Sequence, residues 1–238
     1  MNMQNSHSGH RYDHRNYLHH ELPNYVAKET SGTALLEEPA NGLNVDGLMT
    51  LFMNNQSTRQ LAKEIVQFNS TAVLGALAYK AHAHWLSNDA VSEIAPVTRY
   101  DVTQASPLPC FTRQQAVPKE ALLVTVLMKA MIAASKVHEG IGKDEQEQLL
   151  KAAKQLGFNT TDRRFIDELM NRDITIQEII HPVSLSKHKS EVYLAAYLAG
   201  NENSPPENEF LERLASAMNL PNGLAQYLER QADLGIVQ

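Results

Sequence analysis

The sequence predicts an all-α fold, and three observations support that prediction. A helix–loop–helix pattern occurs twice in the C-terminal half, first over residues 127–158 and again over residues 193–220. Within both copies, apolar residues recur at the three- and four-residue spacing of an amphipathic helix. This half contains no alternation of apolar and polar residues that would indicate a β-strand. Two copies of one helical pattern indicate a helical bundle around a shared core.

The two copies match where each polar loop gives way to the second helix. Gly142 corresponds to Ser204 (204 − 142 = 62), and Glu145 corresponds to Glu207 (207 − 145 = 62). Both glutamates fall in the first turn of a helix, where negative charge is favourable because it faces the positive end of the helix dipole. The pattern therefore places two polar loops in one helical domain, where a metal ion or a partner could bind.

Changes in composition divide the chain into four regions. Residues 1–41 are rich in Asn, His and Ser and show no apolar period, which predicts a disordered tail. Residues 42–86 form a helical segment, and its most apolar helix covers residues 71–86. Prolines interrupt residues 87–117 and the apolar period fades there, which predicts a linker. Residues 118–238 form the helical domain that contains both copies.

Proline and capping signals mark the helix starts in the C-terminal domain. Pro118 suits the first turn of the long apolar helix that opens this domain. Thr160 or Thr161 is expected to cap the helix that follows the first copy. The clearest signal lies in the second copy, where Ser204 is the predicted N-cap, a proline follows it, and Glu207 completes a capping box.

Composition and charge exclude several classes of function. The net charge of −6 argues against a nucleic-acid-binding protein, which needs a basic surface. The helix at residues 71–86 is shorter than the ~20 apolar residues that span a membrane, and it carries Lys80. The first residues lack the apolar segment of a secretory signal. Cys110, the single cysteine, has no neighbouring group in the sequence that would activate it, so we predict that the protein is not an enzyme.

Four segments carry a resemblance to a known family. They are GALAYKAHAHWL at residues 75–86, AMIAASKVHEGI at 130–141, EVYLAAYLAG at 191–200 and SPPENEFLERLASAMNL at 204–220. Together they resemble the YebE-like family of uncharacterised bacterial proteins, which is assigned to the inner membrane. The C-terminal half is similar to the TerB-like domain associated with tellurite resistance. The resemblance implies a TerB-like helical bundle, a place at the inner membrane and a role in stress responses.

A divalent metal site in the paired loops is one hypothesis. Hard cations prefer several oxygen ligands that carry negative charge. The two loops and the helix starts after them supply candidate ligands, which are Glu139, Glu145, Asn201, Asn203 and Glu207. The alternative is that the glutamates only stabilise helix N-termini. We predict no cofactor other than such a metal ion, and the metal hypothesis requires that the two loops lie side by side.

An interaction surface on the apolar helix at residues 71–86 is the preferred hypothesis. Leu77, Tyr79 and Trp85 are the candidate interaction residues, because this helix is apolar enough to need cover. It could dock on the C-terminal domain, self-associate or lie on a membrane surface. We therefore predict an interaction or scaffold module, cytoplasmic or peripheral at the bacterial inner membrane. Its partner would be a protein or a second copy, and the hypothesis requires an exposed apolar patch on this helix.

Overall fold

The chain folds into helices joined by loops, which confirms the predicted all-α fold. The computed structural model describes residues 45–53, 59–68, 70–104, 118–137, 140–155, 157–183, 186–200 and 204–237. The predicted tail at residues 1–41 and Cys110 lie outside these residues. In chain order the helices are α1 (Val45–Phe52), α2 (Arg59–Phe68), α3 (Ser70–Ser87), α4 (Arg99–Gln104), α5 (Pro118–Ser135), α6 (Lys143–Gln155), α7 (Thr160–Asn171), α8 (Ile176–Ile180), α9 (Ser186–Ala199), α10 (Pro205–Ala217) and α11 (Leu224–Leu234). The strands are β1 (Val97–Thr98) and β2 (Ile236–Val237).

A single hydrophobic core joins the N-terminal and C-terminal helices. α5 packs against α9, and α3 packs against both α9 and α11, while α1 packs against α2 and α5. The side chains of Met128, Ile132 and Leu194 are fully buried in this core. Burial of one such side chain stabilises the fold by about 1.5–3 kcal/mol. The predicted segment at residues 42–86 and the predicted domain at 118–238 differ in composition. Their described residues nevertheless contribute to one hydrophobic core.

Helix α3 covers the predicted helix and extends it by one residue at each end. The side chain of Asp46, on α1, accepts a hydrogen bond from the Ser70 backbone N–H at 2.5 Å. This bond satisfies one of the unpaired backbone donors at the start of α3. At the other end, the Trp85 Nε1–H donates to the Asn222 carbonyl at 3.0 Å, just before α11 begins. Contacts from two different helical regions therefore fix both ends of α3.

The first part of the predicted linker at residues 87–117 differs from the prediction. Residues 88–104 contain a 3₁₀ turn, β1 and α4, and they bury Ile94 and Val102. β1 pairs in parallel with β2, with Val97 opposite Ile236, so a short strand pair also occurs in the half where none was expected. A two-residue strand is too short to produce a period, and its pairing joins residues far apart in the chain. Residues 105–117 lie outside the described part of the chain.

The helix caps differ from the predicted caps in two places. α7 is capped by Asn159 rather than by Thr160 or Thr161: the Asn159 side chain accepts from the Asp162 N–H at 2.9 Å, and Asp162 reciprocates. Ser204 is the N-cap of α10 and prolines follow it, as predicted, but its side chain makes no capping hydrogen bond. The prolines remove two N–H donors from the first turn. The predicted capping box at α10 is therefore wrong in one respect, since the Ser204 side chain does not accept a backbone hydrogen bond.

Candidate functional site

The two polar loops start from neighbouring points of the fold. The Ser135 hydroxyl, at the end of α5, donates to the Ala199 carbonyl at the end of α9, with 3.0 Å between the oxygens. Because α5 and α9 pack against each other and end together, the loop after each helix begins at the same end of the bundle. This is the arrangement that the metal hypothesis requires at the start of each loop.

The candidate metal ligands fall in three different situations. Glu139, Asn201 and Asn203 lie outside the described residues, so their place in a metal site stays a prediction. Glu145 is exposed in the first turn of α6. Glu207 is only 4% exposed in the first turn of α10. Within the described residues, no group of three or more His, Cys, Asp or Glu side chains could hold a metal ion.

The buried carboxylate of Glu207 lies against the last residue before the second loop. A Cβ atom at Gly200 would overlap Oε1 of Glu207, so a larger residue there would require the end of this side chain to move. Gly200 itself ends α9, since its N–H donates to the Ala196 carbonyl at 3.1 Å. Glu207 therefore reaches back across the loop to the end of the preceding helix. The pairing of a glycine with a glutamate seven residues later was present in the sequence but was not recognised as a contact.

The outer face of α3 carries exposed apolar side chains. Tyr79 is 75% exposed and Leu86 is 56% exposed. They are seven residues apart, which places them on the same face of the helix two turns apart. Of the predicted interaction residues, Leu77 is fully buried in the core of the protein itself, and Trp85 is partly buried against Asn222. Tyr79 therefore lies on this face as predicted, and Leu86 lies there without having been predicted. The prediction was wrong for Leu77, which points to the opposite side of the helix.

A serine–histidine pair lies where α3 meets α9. The Nε2 atom of His82 is hydrogen-bonded to the Ser190 hydroxyl at 3.0 Å. Burial lowers the pKa of His82. Ser190 is fully buried, so its hydroxyl links two helices and does not face solvent. No local pattern indicated this pair, because its members are 108 residues apart in the chain.

A hydrogen-bonded pair of a buried glutamate and a half-buried histidine adjoins this serine on α9. Oε2 of Glu191 lies 2.8 Å from Nδ1 of His188, one turn earlier on the same helix. Oε1 of Glu191 lies 3.8 Å from the position of a Cβ at Gly75 on α3. Gly75 is therefore the point at which the α9 carboxylate passes over α3, as expected for a small residue at a helix crossing.

Two tyrosines of α9 bind two carboxylates of α11. The Tyr193 hydroxyl donates to Glu229 at 2.5 Å, and the Tyr197 hydroxyl donates to Asp233 at 2.8 Å. The two tyrosines are four residues apart on α9, and the two carboxylates are four residues apart on α11. The two bonds therefore join the helices at successive turns. Burial raises the pKa of Glu229, the Tyr193 hydrogen bond opposes that rise, and the charges of Asp233 and Glu212 add to it.

Comparisons with other proteins identify the family of the chain. None of the described helices is long and apolar enough to cross a lipid bilayer. Residues 38–232 match the model of a family described as a protein of unknown function, DUF533. No curated protein and no solved structure matches the chain. The matched range covers most of the 238 residues and includes α1 to α10 and nearly all of α11. The chain therefore belongs to the DUF533 family.

Proposed function

We propose that this protein is a non-enzymatic interaction module that binds a protein partner through the outer face of α3. We call the face formed by Tyr79, Ala83 and Leu86 the α3 stripe. The observation that carries the proposal is the exposure of Tyr79 and Leu86 on a helix whose other described residues, except Ser87, are buried or half-buried. An exposed aromatic ring and an exposed leucine on one face are typical of a binding surface, where tyrosine is enriched among the residues that contribute most.

The way in which α3 is held supports this proposal. Asp46 caps its start, and Trp85 bonds to Asn222 near its end. Between them, Lys80 pairs with Asp101 of α4 at 3.3 Å. A surface on a helix that is fixed in this way loses little conformational entropy when a partner binds. The same contacts oppose release of α3 from the core, and release would also expose its buried inner face.

Site-specific photo-cross-linking tests the proposal. A photoreactive phenylalanine analogue replaces Tyr79 in the full chain, and the same analogue at Tyr100 is the matched control. Tyr100 is 70% exposed on α4, so it is equally accessible but lies outside the α3 stripe. We expect covalent adducts of defined mass from position 79 and few from position 100. Equal adduct yields at the two positions, or none at position 79, would contradict the proposal.

The same experiment distinguishes the alternative occupants of the stripe. An adduct at twice the mass of the chain would identify a second copy rather than another protein. Cross-linking to lipid, together with flotation on vesicles, would identify a membrane surface. The resemblance to inner-membrane and TerB-like proteins supports a peripheral place at the inner membrane and a role in stress responses, which we include in the proposal.

Divalent-metal binding by the paired loops is the second candidate function. The observation that favours it is the Ser135–Ala199 hydrogen bond, because it starts both loops from one end of the bundle. Thermal unfolding of the metal-free protein with Ca²⁺, Mg²⁺, Mn²⁺ or Zn²⁺ tests this candidate. An ion at a hundredfold above its Kd should stabilise the native state by about 2.7 kcal/mol. Loss of that effect in Glu207→Gln but not in Glu209→Gln, an exposed neighbour on α10, would support a site.

A further inference from the structure

His82 lies on the border between the α3 stripe and α9. It follows Tyr79 by three residues, so its side chain is displaced by about 60° around the helix from the stripe. From this flank it reaches Ser190, in the second turn of α9. Gly75, one turn before Tyr79, lies on the same flank and faces Glu191. The early turns of α9 therefore run along one edge of the stripe.

The ring of His82 is half-buried, and no carboxylate among the described residues is bonded to it. Its hydrogen-bond partner on α9 is the fully buried hydroxyl of Ser190. On α3, its ring lies nearly perpendicular to that of Trp85, with 6.4 Å between the ring centroids. These contacts suit a neutral imidazole, because a hydroxyl compensates a buried positive charge less well than a carboxylate does.

The acidic groups described on the helices that pack against α3 have other partners. Glu64 of α2 pairs with Arg99, and Asp101 of α4 pairs with Lys80. On α9, Glu191 pairs with His188. On α11, which also packs against α3, Glu229 and Asp233 accept hydrogen bonds from tyrosines of α9. On the other side of α3, the neighbouring His84 pairs with Asp89 at 2.6 Å. The charge of an imidazolium at position 82 would therefore meet a hydroxyl and an indole ring.

We infer that His82 is a proton-sensitive latch that holds the early turns of α9 along the edge of the α3 stripe. In its neutral form the imidazole stays in the contact with Ser190. Protonation favours conformations in which the ring leaves this contact and is hydrated, and the edge of the stripe then opens. The latch itself stands on the α3–α9 geometry, whereas its effect on partner binding rests on the proposed function.

The direction of the pH effect follows from burial. Burial lowers the pKa of His82 below its ordinary value of 6.5. The unfolded chain then binds a proton at His82 more readily than the folded chain does. Lowering the pH from the unfolded pKa toward the folded pKa therefore favours unfolding. The stabilising effect of a neutral His82 is complete above the unfolded pKa and is lost as the pH falls toward the folded pKa.

The first test measures His82 in the full-length protein. We expect NMR of the histidine side chains to give His82 a titration midpoint below that of an unstructured histidine. We also expect the Tm of the wild type to fall relative to that of His82→Gln between about pH 7.5 and about pH 5.5, the range in which histidine titrates. His181→Gln, at an exposed position, is the matched control and should keep the pH dependence of the wild type. A normal or raised midpoint for His82 would overturn the inference without any variant.

The second test separates the latch from the proposed function. A photoreactive residue at Leu86 is cross-linked at both pH values in the wild type and in His82→Gln. If the adduct yield changes several-fold with pH in the wild type but not in His82→Gln, the result supports both the latch and the proposed function. Adducts that do not depend on pH would overturn the latch as a regulator of the stripe and leave the proposed function standing. No adducts at either pH, with the Tm difference as expected, would refute the proposed function and retain the latch.

Discussion

The two helix–loop–helix copies share one sequence signal but use it in different ways. In the first copy, Glu145 lies exposed at the start of α6. In the second, Glu207 lies buried at the start of α10 against Gly200. The residue that corresponds to Gly200 in the first copy is His138 (200 − 62 = 138), so the first copy lacks the glycine that admits a carboxylate. An acidic residue at a helix start therefore reveals the helix but not the role of the residue.

The first helices of the two copies also make different contacts at corresponding positions. Tyr193 and Tyr197 of α9 correspond to Met131 and Ser135 of α5 (193 − 62 = 131; 197 − 62 = 135). The tyrosines form hydrogen bonds to α11, whereas Met131 is fully buried and Ser135 bonds to the end of α9. At these corresponding positions the second copy thus bonds to α11 through two tyrosine hydroxyls, and we expect it to be sensitive to the loss of either hydroxyl.

The largest expected effect is at Gly200. Gly200→Ala should displace the Glu207 carboxylate and lower the free energy of unfolding by about 1–3 kcal/mol, because a buried charged group loses its place. In the Glu207→Ala background the same substitution should have little effect, since the overlap is gone. Urea unfolding of the two single variants and the double variant measures this coupling. Additive effects would show that Gly200 and Glu207 act independently and would remove the main contrast between the copies.

An intermediate effect is expected at Tyr193. Tyr193→Phe removes the donor to Glu229 and should destabilise the protein by about 1–2 kcal/mol near neutral pH. Burial raises the pKa of Glu229, so the folded state already loses stability as the pH rises above the ordinary carboxyl range. Without the Tyr193 hydrogen bond this pKa should rise further. The loss of stability in Tyr193→Phe should therefore be smaller near pH 5 than near pH 7, as read from urea unfolding at the two pH values.

Tyr197→Phe is the matched control for that prediction. Its partner Asp233 is exposed, so the same loss of a hydroxyl should lower stability by less than about 1 kcal/mol. If Tyr197→Phe destabilises the protein as much as Tyr193→Phe does, burial of the acceptor does not set the strength of these bonds.

The smallest expected effect is at Glu145. Glu145→Gln removes an exposed negative charge near a helix N-terminus and should lower stability by about 0.3–1 kcal/mol at low salt. The effect should shrink at high salt because the charge is open to solvent. Glu207→Gln, measured beside it in urea at both salt concentrations, should be less sensitive to salt. Equal salt dependence of the two variants would place both glutamates in the same role.

Local patterns predicted the elements that depend on local sequence. The period of apolar residues located α3 to within one residue at each end, and the prolines after Ser204 located the start of α10. These features depend on neighbouring residues, whose preferences the sequence displays directly. The start of α7 was missed by one position because Asn159 and two threonines are all acceptable caps, and only the geometry selects among them.

Contacts between distant residues were beyond the reach of the same patterns. β1 and β2 each have two residues and pair across the chain, so neither displays a period. The His82–Ser190 bond depends on how α3 crosses α9, which no local spacing encodes. Leu77 and Tyr79 are both apolar or aromatic residues of one helix, and only the positions of α9 and α11 decide that Leu77 is covered and Tyr79 is not.

The single tryptophan of the chain gives it a built-in fluorescent probe. Trp85 bonds to Asn222 and lies 6.4 Å from the ring of His82, centroid to centroid. We therefore expect its emission to depend on the junction of α3 with the segment before α11 and on the charge of one imidazole. An imidazolium beside an indole quenches its emission, whereas a neutral imidazole does so far less. The emission wavelength and intensity of Trp85 therefore allow the state of the α3 surface to be followed in solution without any attached label.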